Sequence, residues 1–240
     1  MIQPAKLLIT IATFNERENL PPLLDDVLQY APHADVLIID DASPDGTGDW
    51  ADAQASREPR LRVLHRTGKL GLGTATVAGM KHACEHEYEF VLNLDGDFSH
   101  HPRYIPALLA GMEQADVMIG SRYVPGGGTP DWPLRRRLMS RLVNALARAL
   151  MGLKPRDCSG AFRCYRVSLL RQLDFPQVQS RGYSFQEEIL WHLKQLGARC
   201  GETPIVFTDR RFGRSKINAW EAVSALGMIF RFGIKNWLRV

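Results

Sequence analysis

Short apolar runs alternate with amphipathic stretches along most of this chain. The apolar runs are rich in aliphatic and β-branched residues and have the length of buried strands. These predicted strands cover residues 6–13, 35–40, 61–65, 90–94, 116–120 and 199–207. In the segments between the first five, apolar residues recur at the spacing of amphipathic helices. The strict alternation predicts a single α/β domain with a mostly parallel central sheet and helices on both of its faces.

Polar residues mark the starts of two predicted helices. Asn19 precedes the first helix and is a candidate N-cap. Ser184 precedes a later helix that begins near Phe185, and Glu187 stands where it would complete a capping box. This interpretation gives Glu187 a purely structural role.

The strand over 90–94 stops at two carboxylates, Asp95 and Asp97, which one glycine separates. Side chains two residues apart in an extended chain point the same way, and Gly96 permits an unusual bend between them. Open parallel sheets bind ligands at the C-terminal ends of their strands. Two hard oxygen ligands in that place suit Mg²⁺ or Mn²⁺, especially when a diphosphate supplies further oxygens. The alternative is a polar turn, in which Asp and Gly are common.

Further polar groups follow two other predicted strands. Asn15 and Glu16 come after the first strand, and Asp40 and Asp41 end the second. Because parallel strands end at one rim of the sheet, these groups and the Asp95–Asp97 pair indicate a nucleotide and metal site. A glycine-rich segment over 66–75 leads into a helix and either receives an anion or is a plain connector. It matches neither the Walker loop nor the dinucleotide-binding pattern.

Two later helices combine apolar and basic residues. The helix predicted over 134–150 carries leucines on one side and five arginines, which are Arg135, Arg136, Arg137, Arg141 and Arg148. These arginines form either a solvated basic face or a surface that binds phosphate and faces a membrane. The helix predicted over 220–238 either packs on its own domain or lies in a membrane interface. Between the two, the cationic segment 209–216 is suited to closing on a diphosphate.

Overall composition narrows the setting in which the chain works. The net charge of +4 and the pI of about 9.0 are compatible with nucleotide diphosphates, lipid phosphates or a membrane surface, and do not by themselves indicate nucleic acid. The four cysteines show no metal spacing and are few for a disulfide scaffold, so we expect a reducing compartment. No signal-peptide pattern and no run of about 18 apolar residues occur, so we expect no membrane-spanning helix.

Six motifs, in order from about Leu8 to about Lys216, resemble those of the dolichyl-phosphate mannose synthases. They are Thr13-Phe-Asn15-Glu16, Asp40-Asp41-Ala-Ser43-Pro-Asp45-Gly-Thr47, Lys69-Leu-Gly71-Leu-Gly73-Thr-Ala, Asp95-Gly-Asp97, Gly120-Ser-Arg122-Tyr and Phe212-Gly-Arg214-Ser-Lys216. These enzymes belong to glycosyltransferase family 2 and have the GT-A fold. The resemblance implies metal-dependent transfer of mannose from GDP-mannose to dolichyl or another polyprenyl phosphate, with inversion at the sugar carbon.

The resemblance also implies roles for individual residues. Asp95 and Asp97 would hold the Mg²⁺ or Mn²⁺ ion and the donor diphosphate, and Ser99 falls on the third ligand position, where relatives often carry Gln. The implied donor-binding residues are Phe14, Glu16, Asp40, Asp41, Lys69 and Arg211. The implied pocket for the lipid phosphate consists of Arg122, Arg136 and Ser140. Arg122 and Lys216 join Asp95 and Asp97 as the predicted catalytic residues.

We expect a catalytic domain over 1–217 and a C-terminal amphipathic helix over 218–240. The chain resembles the members without C-terminal membrane helices, so we expect peripheral binding to the cytoplasmic face of a membrane. Two alternatives stay open. One is a family 2 transferase that moves another sugar, such as glucose from UDP-glucose, to a polyprenyl phosphate. The other is a non-catalytic sensor of nucleotide sugars at a membrane surface.

Overall fold

In the computed structural model, which describes residues 6–210 and 219–238, seven strands form one central sheet. The strands are β1 (Leu7–Thr13), β2 (Asp35–Asp40), β3 (Leu61–His65), β4 (Phe90–Asp95), β5 (Val117–Ser121), β6 (Arg163–Arg166) and β7 (Cys200–Pro204). Their order across the sheet is β3-β2-β1-β4-β6-β5-β7. All pairs are parallel except those of β6, which runs antiparallel to both β4 and β5.

Helices cover both faces of the sheet. They are α1 (Leu20–Tyr30), α2 (Thr47–Ala55), α3 (Leu72–Glu85), α4 (Ile105–Gly111), α5 (Leu134–Met151), α6 (Val167–Leu170), α7 (Phe185–Gln195) and α8 (Ala219–Leu238). Successive side chains of a strand point to opposite faces, so Leu8 and Ile9 of β1 belong to different hydrophobic cores. One core contains residues of α3, α5, α7 and α8, and the other contains residues of α1 and α4. The predicted α/β architecture is confirmed.

Strand β6 is the one strand of the sheet that the sequence pattern did not predict, and the short helix α6 after it was not predicted either. Its four residues, Arg-Cys-Tyr-Arg, lack an apolar run, although β6 lies in the interior of the sheet. The side chain of Arg163 is fully buried and donates to the backbone oxygens of Gln186 (2.7 Å) and Cys158 (2.6 Å). These hydrogen bonds offset the cost of burying a guanidinium at this position.

The two predicted N-cap positions are confirmed, but neither residue makes the expected cap hydrogen bond. Asn19 does precede α1, but its side chain donates to Glu16 Oε2 (2.8 Å) and makes no cap hydrogen bond. Ser184 precedes α7 and likewise makes no side-chain cap hydrogen bond. Glu187, the expected partner in that capping box, is buried. The Asn19 side chain is therefore oriented by Glu16, and burial replaces the capping role expected of Glu187.

Helix α8 packs against α5 and α7, and its buried residues Met228, Ile229 and Phe232 join the core. Lys194 of α7 links α5 and α8, because its ammonium donates to Met151 O (2.9 Å) and Asn236 Oδ1 (2.7 Å). Other apolar side chains of α5 and α8 stay exposed. These are Leu134, Leu138, Met139, Leu142, Phe230, Ile234, Trp237 and Leu238. Within the described ranges, no helix is both long and apolar enough to cross a membrane.

Candidate active site

Three loops that follow parallel strands meet at the C-terminal rim of the sheet. Each contains a non-glycine residue with left-handed backbone: Asn15 after β1 (φ 57°), Ala42 after β2 (φ 55°) and Phe98 after β4 (φ 64°). Such a conformation costs an L-residue about 1–2 kcal/mol. Residues held in this way cluster at ligand-binding sites, where the surrounding structure compensates the strain. The rim thus has the backbone character of a functional site.

The carboxylates of Asp95 and Asp97 lie at the centre of this rim. Burial, together with the negative charge of Asp97, raises the pKa of Asp95 to about 7. Asp97 Oδ1 accepts a hydrogen bond from the Ser99 amide (3.0 Å), and its Oδ2 lies 3.0 Å from Nη2 of Arg210. The side chain of His100 is buried 3.5 Å from Asp95 Oδ2, and burial lowers the pKa of His100 to about 4. This imidazole is therefore neutral near pH 7.

This carboxylate pair fits a divalent cation. Two adjacent carboxylates repel each other, and a guanidinium already supplies positive charge to one of them. Among the described residues, no group of three or more His, Cys, Asp and Glu side chains is placed to hold a metal. The pair would thus supply part of a coordination shell, and diphosphate or water oxygens would supply the rest. The Ser99 hydroxyl is buried beside His100, and its role as a third ligand stays a prediction.

The predicted donor-binding residues that the structure describes lie at the end of β2 and in the loops after β1, β2 and β3. The ammonium of Lys69 lies 4.7 Å from the centre of the Phe14 ring. Asp41 pairs with Arg66 (2.9 Å) and accepts from the Leu70 amide (3.1 Å), while burial raises its pKa. Asp41 thereby holds the backbone next to Lys69, whose ammonium lies over the Phe14 ring.

Asp40 and Glu16 organise the same loops. Asp40 accepts hydrogen bonds from the Thr13 hydroxyl (2.8 Å) and from the amide (2.9 Å) and hydroxyl (2.6 Å) of Ser43. Glu16 is buried, its amide donates to the Thr47 hydroxyl (3.1 Å), and its carboxylate accepts from Asn19. Both carboxylates hold the rim in shape, which is a role that their motif alone did not reveal.

The glycine-rich segment before α3 has an architectural role in the structure. The amide of Gly73 donates to the carbonyl of Arg181 (2.8 Å), and a Cβ atom at Gly73 would lie 2.7 Å from the Ser180 carbonyl oxygen. Glycine is required there because the backbone of 180–181 approaches closely. The structure therefore favours the connector interpretation for this segment.

Two of the predicted lipid-phosphate residues, Arg122 and Ser140, are held by hydrogen bonds within the protein. Arg122 is buried in a forked pair with Asp157, with both N–O distances at 2.7 Å, and also donates to the Ser159 hydroxyl (2.8 Å). Burial opposes the charge on Asp157, but the adjacent Arg122 outweighs it and lowers the pKa of Asp157. The Ser140 hydroxyl accepts from the Tyr123 hydroxyl (2.6 Å). Arg122 is thus a rigid, permanently charged group.

Trp132 connects the two predicted phosphate-binding arginines. The guanidinium carbon of Arg136 lies 3.9 Å from its ring centre and that of Arg122 lies 5.3 Å away. The indole nitrogen of Trp132 (3.2 Å) and Nη1 of Arg136 (2.8 Å) both donate to Oδ1 of Asp209. The structure therefore brings Arg122 and Arg136 to one aromatic platform next to the carboxylate pair.

Several residues of this site received no role from the sequence. Asp209 and Arg210 lie in the segment whose cationic character was noted, and Asp157 and Trp132 lie outside the motifs; each has a partner far away in the chain. Arg66 and His100 carried no signal beyond their positions next to a strand end. The predicted residues Arg211 and Lys216, and the predicted domain boundary at 217/218, lie outside the described residues.

The strand order, the carboxylates at the rim and the charged platform beside them define a GT-A-type glycosyltransferase. The sequence pattern of glycosyl transferase family 2 matches residues 8–174, and the chain belongs to this family. Undecaprenyl-phosphate mannosyltransferase of Micrococcus luteus is 41% identical over 229 residues, which cover 95% of this chain and 94% of that protein. Polyprenol monophosphomannose synthase of Mycolicibacterium smegmatis is 39% identical over 235 residues, covering 97% and 89%.

Solved structures share the fold at much lower identity. Glucosyl-3-phosphoglycerate synthase from Mycobacterium tuberculosis, in complex with Mn²⁺, UDP and phosphoglyceric acid, superposes with a TM-score of 0.69 at 15% identity, covering 95% of this chain and 78% of that one. A mannosyltransferase from Pyrobaculum calidifontis, in complex with GDP-Man and Mn²⁺, gives 0.64 at 17% identity, covering 96% and 64%. Both similarities establish the GT-A fold of the present chain.

Proposed function

We propose that this glycosyltransferase moves mannose from GDP-mannose to a polyprenyl phosphate, with Mg²⁺ or Mn²⁺, giving polyprenyl-phosphate mannose and GDP. One observation carries the proposal. Arg210 contacts Asp97, Asp209 contacts Arg136, and these two contacting residues are consecutive. Consecutive Cα atoms are about 3.8 Å apart, so a metal-binding carboxylate and a phosphate-binding arginine lie within reach of one dipeptide. Transfer between two anionic substrates requires such closely spaced sites.

The names of the two relatives support the same acceptor and sugar. Both proteins are named for mannose and for a polyprenyl carrier, and both align over nearly the whole chain. The donor nucleotide and the metal are inferred from the carboxylate pair and from the resemblance of the six motifs. Mg²⁺ and Mn²⁺ both suit an oxygen-rich site that is completed by a diphosphate.

The residues suit a reaction that needs no general base. The acceptor phosphate is already ionised near pH 7, so one of its oxygens attacks the sugar carbon directly while the bond to the GDP oxygen breaks. Arg122 and Arg136 would hold this phosphate, and Asp157 keeps Arg122 oriented. A divalent ion bound at Asp95 and Asp97 would neutralise the charge that develops on the leaving GDP. Holding two anions in line supplies much of the rate acceleration.

We further propose that the protein binds peripherally to a membrane surface, where its acceptor resides. Helices α5 and α8 both expose apolar side chains, and α5 also exposes the arginines Arg135, Arg141 and Arg148. An apolar surface with basic neighbours is typical of helices that lie in the interface of an anionic membrane.

The first test is transfer of radiolabelled mannose from GDP-mannose to a short-chain polyprenyl phosphate. We expect a lipid-linked product with Mg²⁺ or Mn²⁺ and none with EDTA. Asp97→Ala should lower turnover by about 100-fold or more, because electrostatic groups at the leaving group contribute this much or more. Asp25→Ala, which removes an exposed carboxylate on α1, serves as the control. Substantial turnover by Asp97→Ala with added Mn²⁺ would refute the metal role, and product only from UDP-glucose would refute the mannose assignment.

The second test separates acceptor from donor binding. Arg136→Ala should raise KM for the polyprenyl phosphate by about tenfold or more and leave KM for GDP-mannose nearly unchanged, since a charge-assisted contact to phosphate is lost. Arg57→Ala is the control, because Arg57 is an exposed arginine outside α5 and α8. Steady-state kinetics with each substrate varied in turn provides both constants. Equal increases in the two KM values would contradict the assignment of Arg136 to the acceptor.

A further inference from the structure

The Asp209 carboxylate lies against donors that suit an oxyanion. Its Oδ1 atom receives hydrogen bonds from the indole N–H of Trp132 (3.2 Å) and from Arg136 (2.8 Å). The Arg136 guanidinium is held flat over the indole ring at 3.9 Å, and Trp132 is itself buried. A planar guanidinium fixed in this way, next to an N–H donor, suits any oxygen with a full or partial negative charge. The carboxylate of Asp209 thus takes the contacts that a phosphate oxygen would take.

The next residue, Arg210, takes the place of a cation, whereas Asp209 takes the place of an anion. Its Nη2 atom lies 3.0 Å from Asp97 Oδ2, and the two side chains are 18% and 13% exposed. Asp97 also lies beside Asp95, whose raised pKa reflects burial and the proximity of a second carboxylate. A cation at this point relieves the repulsion within the pair. Arg210 supplies that positive charge from within the chain.

We propose that Asp209 and Arg210 are internal substitutes for the two ligands of the site and couple their binding. Asp209 takes the place of the acceptor phosphate on Trp132 and Arg136, and Arg210 takes the place of the metal-bound donor on Asp97. The inference rests on the proposed function, since it assumes a divalent cation with a diphosphate at one site and a prenyl phosphate at the other.

The coupling follows from the single peptide unit between the two side chains. An incoming phosphate has to displace Asp209 from Arg136, and an incoming metal–diphosphate has to displace Arg210 from Asp97. Moving either side chain shifts the backbone that carries the other. The ligand that binds first therefore supplies part of the free energy needed to displace the second side chain. Thermodynamic linkage then requires each ligand to tighten the other by the same factor, which is commonly about 5- to 150-fold.

The test measures binding without turnover. GDP with Mn²⁺ and farnesyl phosphate are titrated by isothermal calorimetry, each alone and in the presence of the other, in one detergent. Because GDP carries no sugar, no transfer occurs. For the wild type we expect farnesyl phosphate to lower the Kd of GDP–Mn²⁺ by about fivefold or more, and GDP–Mn²⁺ to lower the Kd of farnesyl phosphate equally.

The diagnostic variant is Asp209→Asn, which keeps the size of the side chain and removes its charge. Asp209 is 47% exposed, so the substitution leaves the core intact. We expect this variant to bind farnesyl phosphate alone several-fold more tightly than the wild type, and the coupling factor to fall towards one. Asp131→Asn is the matched control, because Asp131 is an exposed aspartate next to Trp132, and its coupling should equal that of the wild type.

Two results would overturn the inference alone. One is wild-type protein that binds both ligands independently, and the other is a coupling factor in Asp209→Asn equal to that of the wild type. A wild type that binds no farnesyl phosphate at all would overturn the proposed function and this inference together. Mannose transfer by the same preparation identifies which of the two has failed.

Discussion

Glu187 is a carboxyl group with almost no access to water. It is 2% exposed, and among the described residues no group forms a hydrogen bond with its Oε2 atom. Burial raises its pKa to about 8, and the nearby positive charge of Arg163 offsets this only in part. At pH 7 the folded protein therefore holds this side chain mostly protonated, whereas the unfolded chain ionises it near its ordinary pKa of 4.5. A proton taken up on folding makes stability depend on pH.

Replacing Glu187 with Gln should remove that pH dependence. The folded pKa of Glu187 is raised, so its contribution to stability is fully present below about pH 4.5 and is lost as pH rises towards 8. Relative to Glu187→Gln, the wild type should thus lose free energy of unfolding between pH 5 and 8, by about 1 kcal/mol per pH unit. Urea unfolding of both proteins at several pH values measures this difference.

Glu188 provides a control, because its pKa is shifted in the opposite direction to that of Glu187. Burial would raise its pKa, but the side chain of His192 at 3.8 Å and hydrogen bonds from the amides of Gln179 and Ser180 outweigh burial and lower it. Its stabilising contribution is present above the unfolded pKa, so Glu188→Gln should show a constant loss of stability from pH 5 to 8. If the Glu187→Gln and wild-type curves instead run parallel over this range, the carboxyl group of Glu187 is ionised in the folded state.

At the scale of elements, α5 and α8 form a pair that buries one side and exposes the other. Met151 of α5 and Phe232 of α8 lie in the core, while Leu138, Leu142 and Trp237 are exposed, Trp237 by 84%. Exposed apolar side chains that are neighbours on one helix, as Leu138 and Leu142 are, mark an interaction site. The sequence left two alternatives for α8, which were packing on its own domain and binding to a membrane. In the structure one face of the α5–α8 pair packs on the domain, and another face remains available to a membrane.

Leu138→Glu should weaken binding to lipid vesicles. Withdrawing one leucine from an apolar interface costs about 1.5–3 kcal/mol, so we expect binding to fall by about tenfold or more. Co-sedimentation with vesicles that contain anionic lipid measures the bound fraction.

Ala145→Glu controls for the added negative charge, because Ala145 is an exposed small residue on the same helix. Equal losses in the two variants would mean that charge alone governs binding. Unchanged binding by Leu138→Glu would show that this face does not touch the membrane.

At the scale of the whole molecule, the sequence predicted the parts that depend on local pattern. The alternation of buried runs and amphipathic segments predicts six of the strands and the carboxylates at their ends. Strand β6 was not predicted, because its polar residues are buried only through contacts with distant residues. One example is the hydrogen bond from Arg163 to the backbone of Gln186. The same reason applies to the site. Asp97 and Arg136 were predicted, but their contacts with Arg210 and Asp209 require the fold to bring distant segments together.

The position of β6 in the chain also sets the order in which the strands can pair during synthesis. Strands β1 to β4 are hydrogen-bonded to one another in one block of the sheet, and they leave the ribosome in sequence. Strand β5 follows, but its neighbours in the sheet are β6 and β7. It therefore stays unpaired until β6 has been synthesised, roughly forty residues later. At about 5–20 residues per second this interval lasts several seconds. Throughout it, β4 presents an open edge, and an open edge is where nascent chains associate wrongly.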